Sequence, residues 1–157
     1  VEGEGTTFYV ELPLADAVTW KRGNGRRQLV VFADPNCSFC RALEQKLAGV
    51  TDVTVHTFLI PILGEDSVEK SRAIWCAPAK TRGQVWRRWM VDGVAPPAVA
   101  SSARCDTTAL TRNLALQHRH GVTGTPTLVF ADNARAVGIV EPAALEKKFA
   151  TLVARTR

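Results

Sequence analysis

Hydrophobic and polar positions recur along this chain in two rhythms, and the switches between them mark its elements. Leu29-Val30-Val31-Phe32-Ala33 is an unbroken apolar run of strand length and predicts a buried strand. Directly after it, Cys40, Leu43 and Leu47 recur at helical spacing until Gly49 ends the stretch. Val53 to Ile60 alternates well enough for another strand, which Pro61 stops. From Ser67 to about His120 the helical period dominates, carried by Ile74, by Val85, Trp86, Trp89 and Met90, and by Leu110, Leu114 and His118. The Ala95-Pro96-Pro97-Ala98 break and a Ser101-Ser102 turn interrupt it. Two strands are expected at Thr127–Ala131 and Ala136–Val140, linked by an Asp132-Asn133 turn. A last helix runs from Pro142, a residue suited to a first helical turn, through Leu145, Phe149 and Leu152. At the front, Phe8-Tyr9-Val10-Glu11-Leu12 predicts a short first strand. Leu14 to Trp20 reads as a turn of helix or a connector, before the loop Arg22-Gly23-Asn24-Gly25. The resulting order is β-β-α-β, a helical block, then β-β-α.

The candidate chemistry sits where the first long apolar run meets the first helix, at Cys37-Ser38-Phe39-Cys40. Cys37 falls at or near a helix N-terminus, where free backbone N–H groups and the positive end of the helix dipole favour a thiolate. Cys40, three residues on, lies one turn deeper and within reach of the first sulfur. That geometry suits a dithiol that opens and closes, with Cys37 attacking from an exposed outer position and Cys40 resolving. Ser38 and Phe39 would tune the pair by offering N–H donors and shielding the sulfurs. Phe39 reads equally as a substrate contact or a helix-cap hydrophobe. The same spacing also serves as half of a zinc site, but such sites supply a second close pair. Here Cys76 and Cys105 are isolated, and His118 and His120, two apart on a helix, point away from each other. No metal is expected. His56, inside an apolar strand, reads as a packed or surface histidine, and Trp75, Trp86 and Trp89 as core or a partner groove. Asp34 would raise a neighbouring thiol's pKa, and reads as a turn-shaping residue.

A second feature is Gly121-Val122-Thr123-Gly124-Thr125-Pro126-Thr127, leading into the apolar Leu128-Val129-Phe130-Ala131. By itself it is a turn followed by a strand that opens with proline. Joined to the CxxC it resembles the thioredoxin superfamily, in which such a pair has a cis bond and lies against the active cysteines. The segments Phe32 to Cys40, Ala73-Ile74-Trp75-Cys76 and Gly121 to Pro126 resemble, more narrowly, the catalytic domain of the DsbC/DsbG thiol:disulfide interchange proteins. The likeness runs from about Leu12 to the C-terminal helix. It implies an α/β thioredoxin fold in one domain, 1–157, with a helical insertion at about 64–120 between the CxxC half and the cis-proline half. It also implies a substrate-docking loop at Thr125 and Pro126, and a structural disulfide between Cys76 and Cys105. Read from the residues alone, the alternative to that bridge is two unrelated buried thiols.

The same resemblance implies an enzyme that reduces or isomerises disulfides of unfolded or misoxidised proteins in the periplasm. It would need no cofactor beyond the Cys37–Cys40 disulfide and would be kept reduced by a membrane thiol reductant of the DsbD type. The alternatives are a DsbA-like dithiol oxidase and a non-catalytic metal- or protein-binding module. The chain departs from thioredoxin itself at Asn36, which is not Trp, at the Ser-Phe dipeptide, and at Val31, where thioredoxin has a buried acid. Only about thirty residues precede the active site. No N-terminal dimerisation domain is therefore visible, and the expectation is either an excised catalytic domain or a short natural form.

Composition narrows the picture further. A chain of 157 residues with 46% hydrophobic and 22% charged content is the size and make-up of an ordinary globular domain. It has neither a membrane-length apolar run nor a charged-then-apolar leader, and its start, Val1-Glu2-Gly3-Glu4-Gly5, reads as a processed or trimmed terminus. The net charge of +5 comes from scattered doublets such as Arg26-Arg27, Arg87-Arg88 and Lys147-Lys148. Aromatics do not alternate with them as a base-stacking surface requires, so nucleic-acid binding is not expected.

Overall fold

The computed structural model describes residues 11–100 and 103–155. Phe8, Tyr9 and Val10 of the expected first strand, and the expected Ser101-Ser102 turn, lie outside them. The first half holds β1 (Val18–Arg22), β2 (Arg27–Ala33), α1 (Ser38–Leu47) and β3 (Val53–Leu59). Three helices follow, α2 (Glu65–Trp75), α3 (Arg82–Asp92) and α4 (Thr108–Arg119). Then come β4 (Thr127–Val129), β5 (Arg135–Val137) and α5 (Pro142–Arg155). The strands form one sheet in the order β1-β3-β2-β4-β5, in which β2 and β3 are parallel and every other pair is antiparallel. This is a thioredoxin-like α/β arrangement, with α2, α3 and α4 between its two halves.

The central strands explain why their sequence is so apolar. Parallel β2 and β3 are covered on both faces, so all seven residues of β3 and all but the first of β2 are buried. Leu29, Val31, Val55 and Leu59 join a core with Leu43 and Leu47 of α1, Trp86 and Met90 of α3, and Leu145 and Phe149 of α5. Val30, Phe32, Phe58 and Ile60 form a second core with Leu116 of α4 and with Val122. There, the Phe32 and Phe58 rings stack with centroids 5.2 Å apart.

The segment after the expected first strand is where the expectation fails. Glu11 and Leu12 are not in a strand, and the segment expected as helix or connector splits in two: a 3-10 turn over Leu14–Asp16, then β1 from Val18. The turn is held from α4, where the Arg112 guanidinium grips the Asp16 carboxylate with two 2.8 Å hydrogen bonds. Beyond it, Val18 and Trp20 point into the core while Thr19 faces His56 across the strand pair. A five-residue alternation of this kind is too brief to stand out beside the longer runs. Helix α3 packs tightly over β1 because residue 83 is glycine, where a Cβ would come within 2.4 Å of the Thr19 carbonyl oxygen.

The late hairpin is shorter than expected at both strands. Phe130 N–H donates to Ala134 O at 2.9 Å, closing the turn around Asp132 and Asn133 before Ala131 can pair. Asn133 holds the left-handed φ of 70° that the turn requires. Gly138, with a φ of 96°, ends β5. A disulfide joins Cys76, just past α2, to Cys105, just before α4, with Cα atoms 5.8 Å apart.

Candidate active site

Strand β2 delivers the chain to the site and a three-residue turn re-aims it. Pro35 cannot donate a backbone hydrogen bond, and helix α1 begins only after Cys37, which is its N-cap residue. The Cys37 sulfur takes the part an N-cap oxygen ordinarily plays, accepting from the backbone N–H of Cys40 at 3.3 Å. On its other side it faces the Thr125 carbonyl oxygen at 3.5 Å. The Thr125–Pro126 peptide bond is cis. The first and last sequence features singled out above thus meet at one sulfur, across a separation of 88 residues.

Cys37 and Cys40 are free thiols. The expectation of an exposed Cys37 is corrected: only 7% of the residue is accessible, because the Thr125 loop and the first turn of α1 enclose the sulfur. Cys40 is 1% exposed, and burial, reinforced by its hydrogen bond with Cys37, raises its thiol well above the ordinary cysteine range. Ser38 and Phe39 are exposed on the first turn, Phe39 by 59%.

Asp34 organises the turn, and its carboxylate is fully buried and fully occupied. Oδ1 accepts from Asn36 N–H and from the Ser67 hydroxyl, both at 2.7 Å. Oδ2 accepts from the N–H groups of Ile62 and Leu63 at 2.8 and 3.0 Å. One side chain therefore ties the CxxC turn to the β3–α2 loop and to the start of α2. Asn36 adds bonds from its Nδ2 to Asp66 at 2.8 Å and to Ser67 at 3.1 Å. From α3, the Trp89 indole N–H donates to Pro35 O at 2.7 Å. The Trp89 ring is itself flanked by Arg41 and Lys70 at 4.8 and 4.9 Å.

The turn-shaping role of Asp34 was legible from its place before the cysteines. Ser67 and Trp89 carried no such signal, because their bonds to the turn cross roughly thirty and fifty residues of chain. Leu63 and Ile62, 54% and 40% exposed, are carried by the loop tied to Asp34 and, with Phe39, supply exposed apolar surface on the segments around the cysteines. The clefts between α2 and residues 95–99 (about 510 Å³) and between α2, α3 and residues 97–100 and 103–105 (about 490 Å³) contain neither Cys37 nor Pro126. His56 is placed far from the cysteines in chemistry as well as in role: it is buried between Thr19 and Gln28, and burial lowers its pKa to about 4. Trp86 and Trp75 are buried in the core. Among the described residues no group of three or more His, Cys, Asp or Glu is placed to hold a metal ion, and no helix is long and apolar enough to cross a membrane.

With this geometry in hand, the likenesses to known proteins are specific. The profile of the thioredoxin-like domain family matches residues 14–152. A probable thiol:disulfide interchange protein DsbC of Bordetella pertussis is 42% identical over 142 residues, covering 89% of this chain and 48% of that protein. The DsbC of Escherichia coli K12 is 28% identical over 131 residues, covering 81% of this chain and 52% of that protein. The chain spans about half the length of the curated relatives it matches. A crystal structure of a disulfide interchange protein from Neisseria gonorrhoeae superposes with a TM-score of 0.79 at 34% identity, over 89% of this chain and 97% of that one. Match, fold and site agree, and the chain belongs to the thioredoxin-like family, among the disulfide interchange proteins of the DsbC type.

Proposed function

We propose that this chain is the catalytic domain of a thiol:disulfide interchange protein that reduces or isomerises disulfides in protein substrates through Cys37 and Cys40. The observation that carries the reading is the placement of the Cys37 sulfur at the N-cap of α1, between the Cys40 N–H and the Thr125 carbonyl. In its thiolate form Cys37 attacks one sulfur of a substrate disulfide; that S–S bond breaks, one substrate thiolate leaves, and a Cys37–substrate mixed disulfide forms. Cys40, once deprotonated, attacks the Cys37 sulfur and expels the second substrate thiolate, leaving Cys37–Cys40 oxidised and the substrate reduced by two electrons. If the released substrate thiolate attacks the mixed disulfide first, the substrate is rearranged and the dithiol returns unchanged. No cofactor enters either route.

A surface site suits a polypeptide better than a small molecule: Phe39, Ile62 and Leu63 offer exposed apolar side chains and Thr125 and Pro126 an adjoining backbone. The reading extends to the periplasm, where the closed Cys76–Cys105 disulfide would persist, and to a membrane thiol reductant of the DsbD type that returns the pair to the dithiol. Because its relatives are about twice as long, a dimerisation module preceding this domain is part of the proposal for the whole protein.

Equilibration in graded glutathione buffers, acid trapping, alkylation and mass mapping tests it. The expected result is a Cys37–Cys40 couple between about −120 and −230 mV with Cys76–Cys105 closed throughout. Four thiols that titrate together, or a metal mass that protects them, would sink it. Refolding of a scrambled substrate then separates isomerase from reductase, and a potential at the oxidising end of the range favours a dithiol oxidase.

A further inference from the structure

Helix α2 borders the cysteine turn on one side and a cleft of about 510 Å³ on the other. Asp66, Glu69, Lys70 and Arg72 of α2 form one wall of that cleft, and Pro96 and Val99 belong to the other, the extended segment 95–99. Arg72 holds the two walls together, its Nη1 and Nη2 donating at 3.4 Å to the Val99 and Ala100 carbonyl oxygens. Clefts of roughly 300–1,000 Å³ are the usual size for ligands with the bulk of a short peptide.

The cleft contains neither cysteine, yet two residues of its wall hold the turn that carries Cys37. Asp66 Oδ2 accepts at 2.8 Å from the side chain of Asn36, the residue before Cys37. Lys70 donates to the same oxygen at 2.7 Å and stands 4.9 Å from the centre of the Trp89 ring, whose indole N–H donates to Pro35 O. One Cα step, an asparagine side chain and a hydrogen bond put Asp66 on the order of 10 Å from Cys37, a gap that about three residues of extended chain span. The cleft therefore continues the surface on which the attacked disulfide must lie.

Charge distinguishes what the cleft takes. Asp66 is occupied by Lys70 and Asn36, and Arg72 by carbonyl groups. The Glu69 carboxylate is exposed on the wall and has neither an ion pair nor a hydrogen bond among the described residues. The remaining lining is alanine, proline and valine. An uncompensated carboxylate above small apolar residues suits the apolar stem and cationic head of lysine or arginine.

We infer, on the basis of the exchange reading, that the cleft between α2 and residues 95–99 binds the substrate chain beside its disulfide. Glu69 selects a basic side chain roughly three to five residues from the attacked cysteine. It touches no reacting atom. It biases which disulfides dock against Cys37 and leaves the bond-making steps unchanged.

Two peptide disulfides test this, identical except for lysine or glutamate at the fourth residue on either side of the cysteine. Hydroxyethyl disulfide serves as an uncharged control without flanking chain. Mixed-disulfide formation is followed by stopped flow at about 0.15 M salt, where exposed charges more than roughly 8 Å apart are largely screened. Wild type should take the lysine peptide about threefold faster than the glutamate peptide, the effect of one exposed charge pair. Glu69→Lys should reverse that ranking while the control disulfide reacts within twofold of wild type. Glu141→Lys makes the same charge change beside Lys46, at the opposite end of α1 from Cys37, and should preserve the ranking. Equal rates for the two peptides in wild type, or a ranking that survives Glu69→Lys, overturns the inference alone. So does a reversal by Glu141→Lys, or a control disulfide that changes as much as the peptides. A protein that is dimeric in wild type and monomeric in Glu69→Lys has a second copy in the cleft, which also overturns it. A wild-type protein that forms a mixed disulfide with none of the three substrates overturns the exchange reading and this inference together.

Discussion

The two cysteine pairs of this protein have the same chemistry and opposite fates. Cys76 and Cys105 are 29 residues apart and bonded, and they clamp the end of α2 to the segment that enters α4. Cys37 and Cys40 are three residues apart and open, and the thiol that starts the proposed exchange faces a carbonyl and an amide rather than a partner sulfur. The closed pair restrains the chain; the open pair is restrained by it. Asp34 and Asn36 tie the turn before Cys37 to the β3–α2 loop and to α2, and Trp89 holds it from α3, so the Cys37 sulfur is placed by hydrogen bonds that do not consume it. A dithiol that is to open and close needs this kind of external scaffold, because its own bond cannot serve as one.

The comparison breaks most completely at Cys37. Cys37→Ser should abolish exchange with a peptide disulfide by more than about a thousandfold while the fold and the Cys76–Cys105 bond survive. Cys40→Ser should instead accumulate a mixed disulfide visible as added mass. Residual turnover in Cys37→Ser within tenfold of wild type would move the nucleophile elsewhere.

Opening the other pair should have the opposite signature. The double variant Cys76→Ala/Cys105→Ala loses the restraint on a loop of about thirty residues, a cost of roughly 3–4 kcal/mol in the unfolding free energy. Attack by Cys37 should be little changed. Denaturant titration beside a single-turnover assay reads both, and a loss of activity without a loss of stability would contradict the division of labour.

A pH series that probes the open pair will also move the fold. The Gln28 amide donates to Gly25 O, which turns its carbonyl to His56 Nε2, so the ring donates there and accepts from the Thr19 hydroxyl at Nδ1. That is a neutral imidazole, and burial accordingly sets its pKa at about 4, below the usual 6.5. With the folded pKa depressed, the unfolded chain binds the extra proton first. The stability is complete above pH 6.5 and is lost as pH falls toward 4, by up to roughly 3 kcal/mol. His56→Gln should flatten this loss in denaturant titrations at pH 7 and pH 4; an unchanged slope would assign it to other groups.

The smallest effect tests the scaffold itself. Trp89→Phe keeps the ring between Arg41 and Lys70 and removes only the bond to Pro35 O, at a cost of about 1 kcal/mol. Attack by Cys37 should slow several-fold, more than resolution by Cys40. Equal rates in both steps would mean that Asp34 and Asn36 suffice to hold the turn.

Much of this protein is legible in its chain because the deciding physics is local. The apolar run of β2, the helical period that begins at Cys40, the glycines around Thr125-Pro126 and the proline that opens α5 each act within a few residues. So does the spacing that puts one sulfur at a helix end and the other a turn deeper. Strand β1 read as a turn of helix or connector because its short alternation is decided by pairing with β3 and by the close approach of α3 at Gly83, both set by distant chain. The burial of Cys37 was invisible for the same reason, since the loop that covers it comes 88 residues later. The bond between Cys76 and Cys105, the four donors on Asp34, the hold of Trp89 on Pro35 and the bond from Asn36 to Asp66 all depend on which segments the sheet brings side by side. Sequence determined which residues could do chemistry; tertiary structure decided which of them meet, because burial and hydrogen-bond partners belong to neighbours in space.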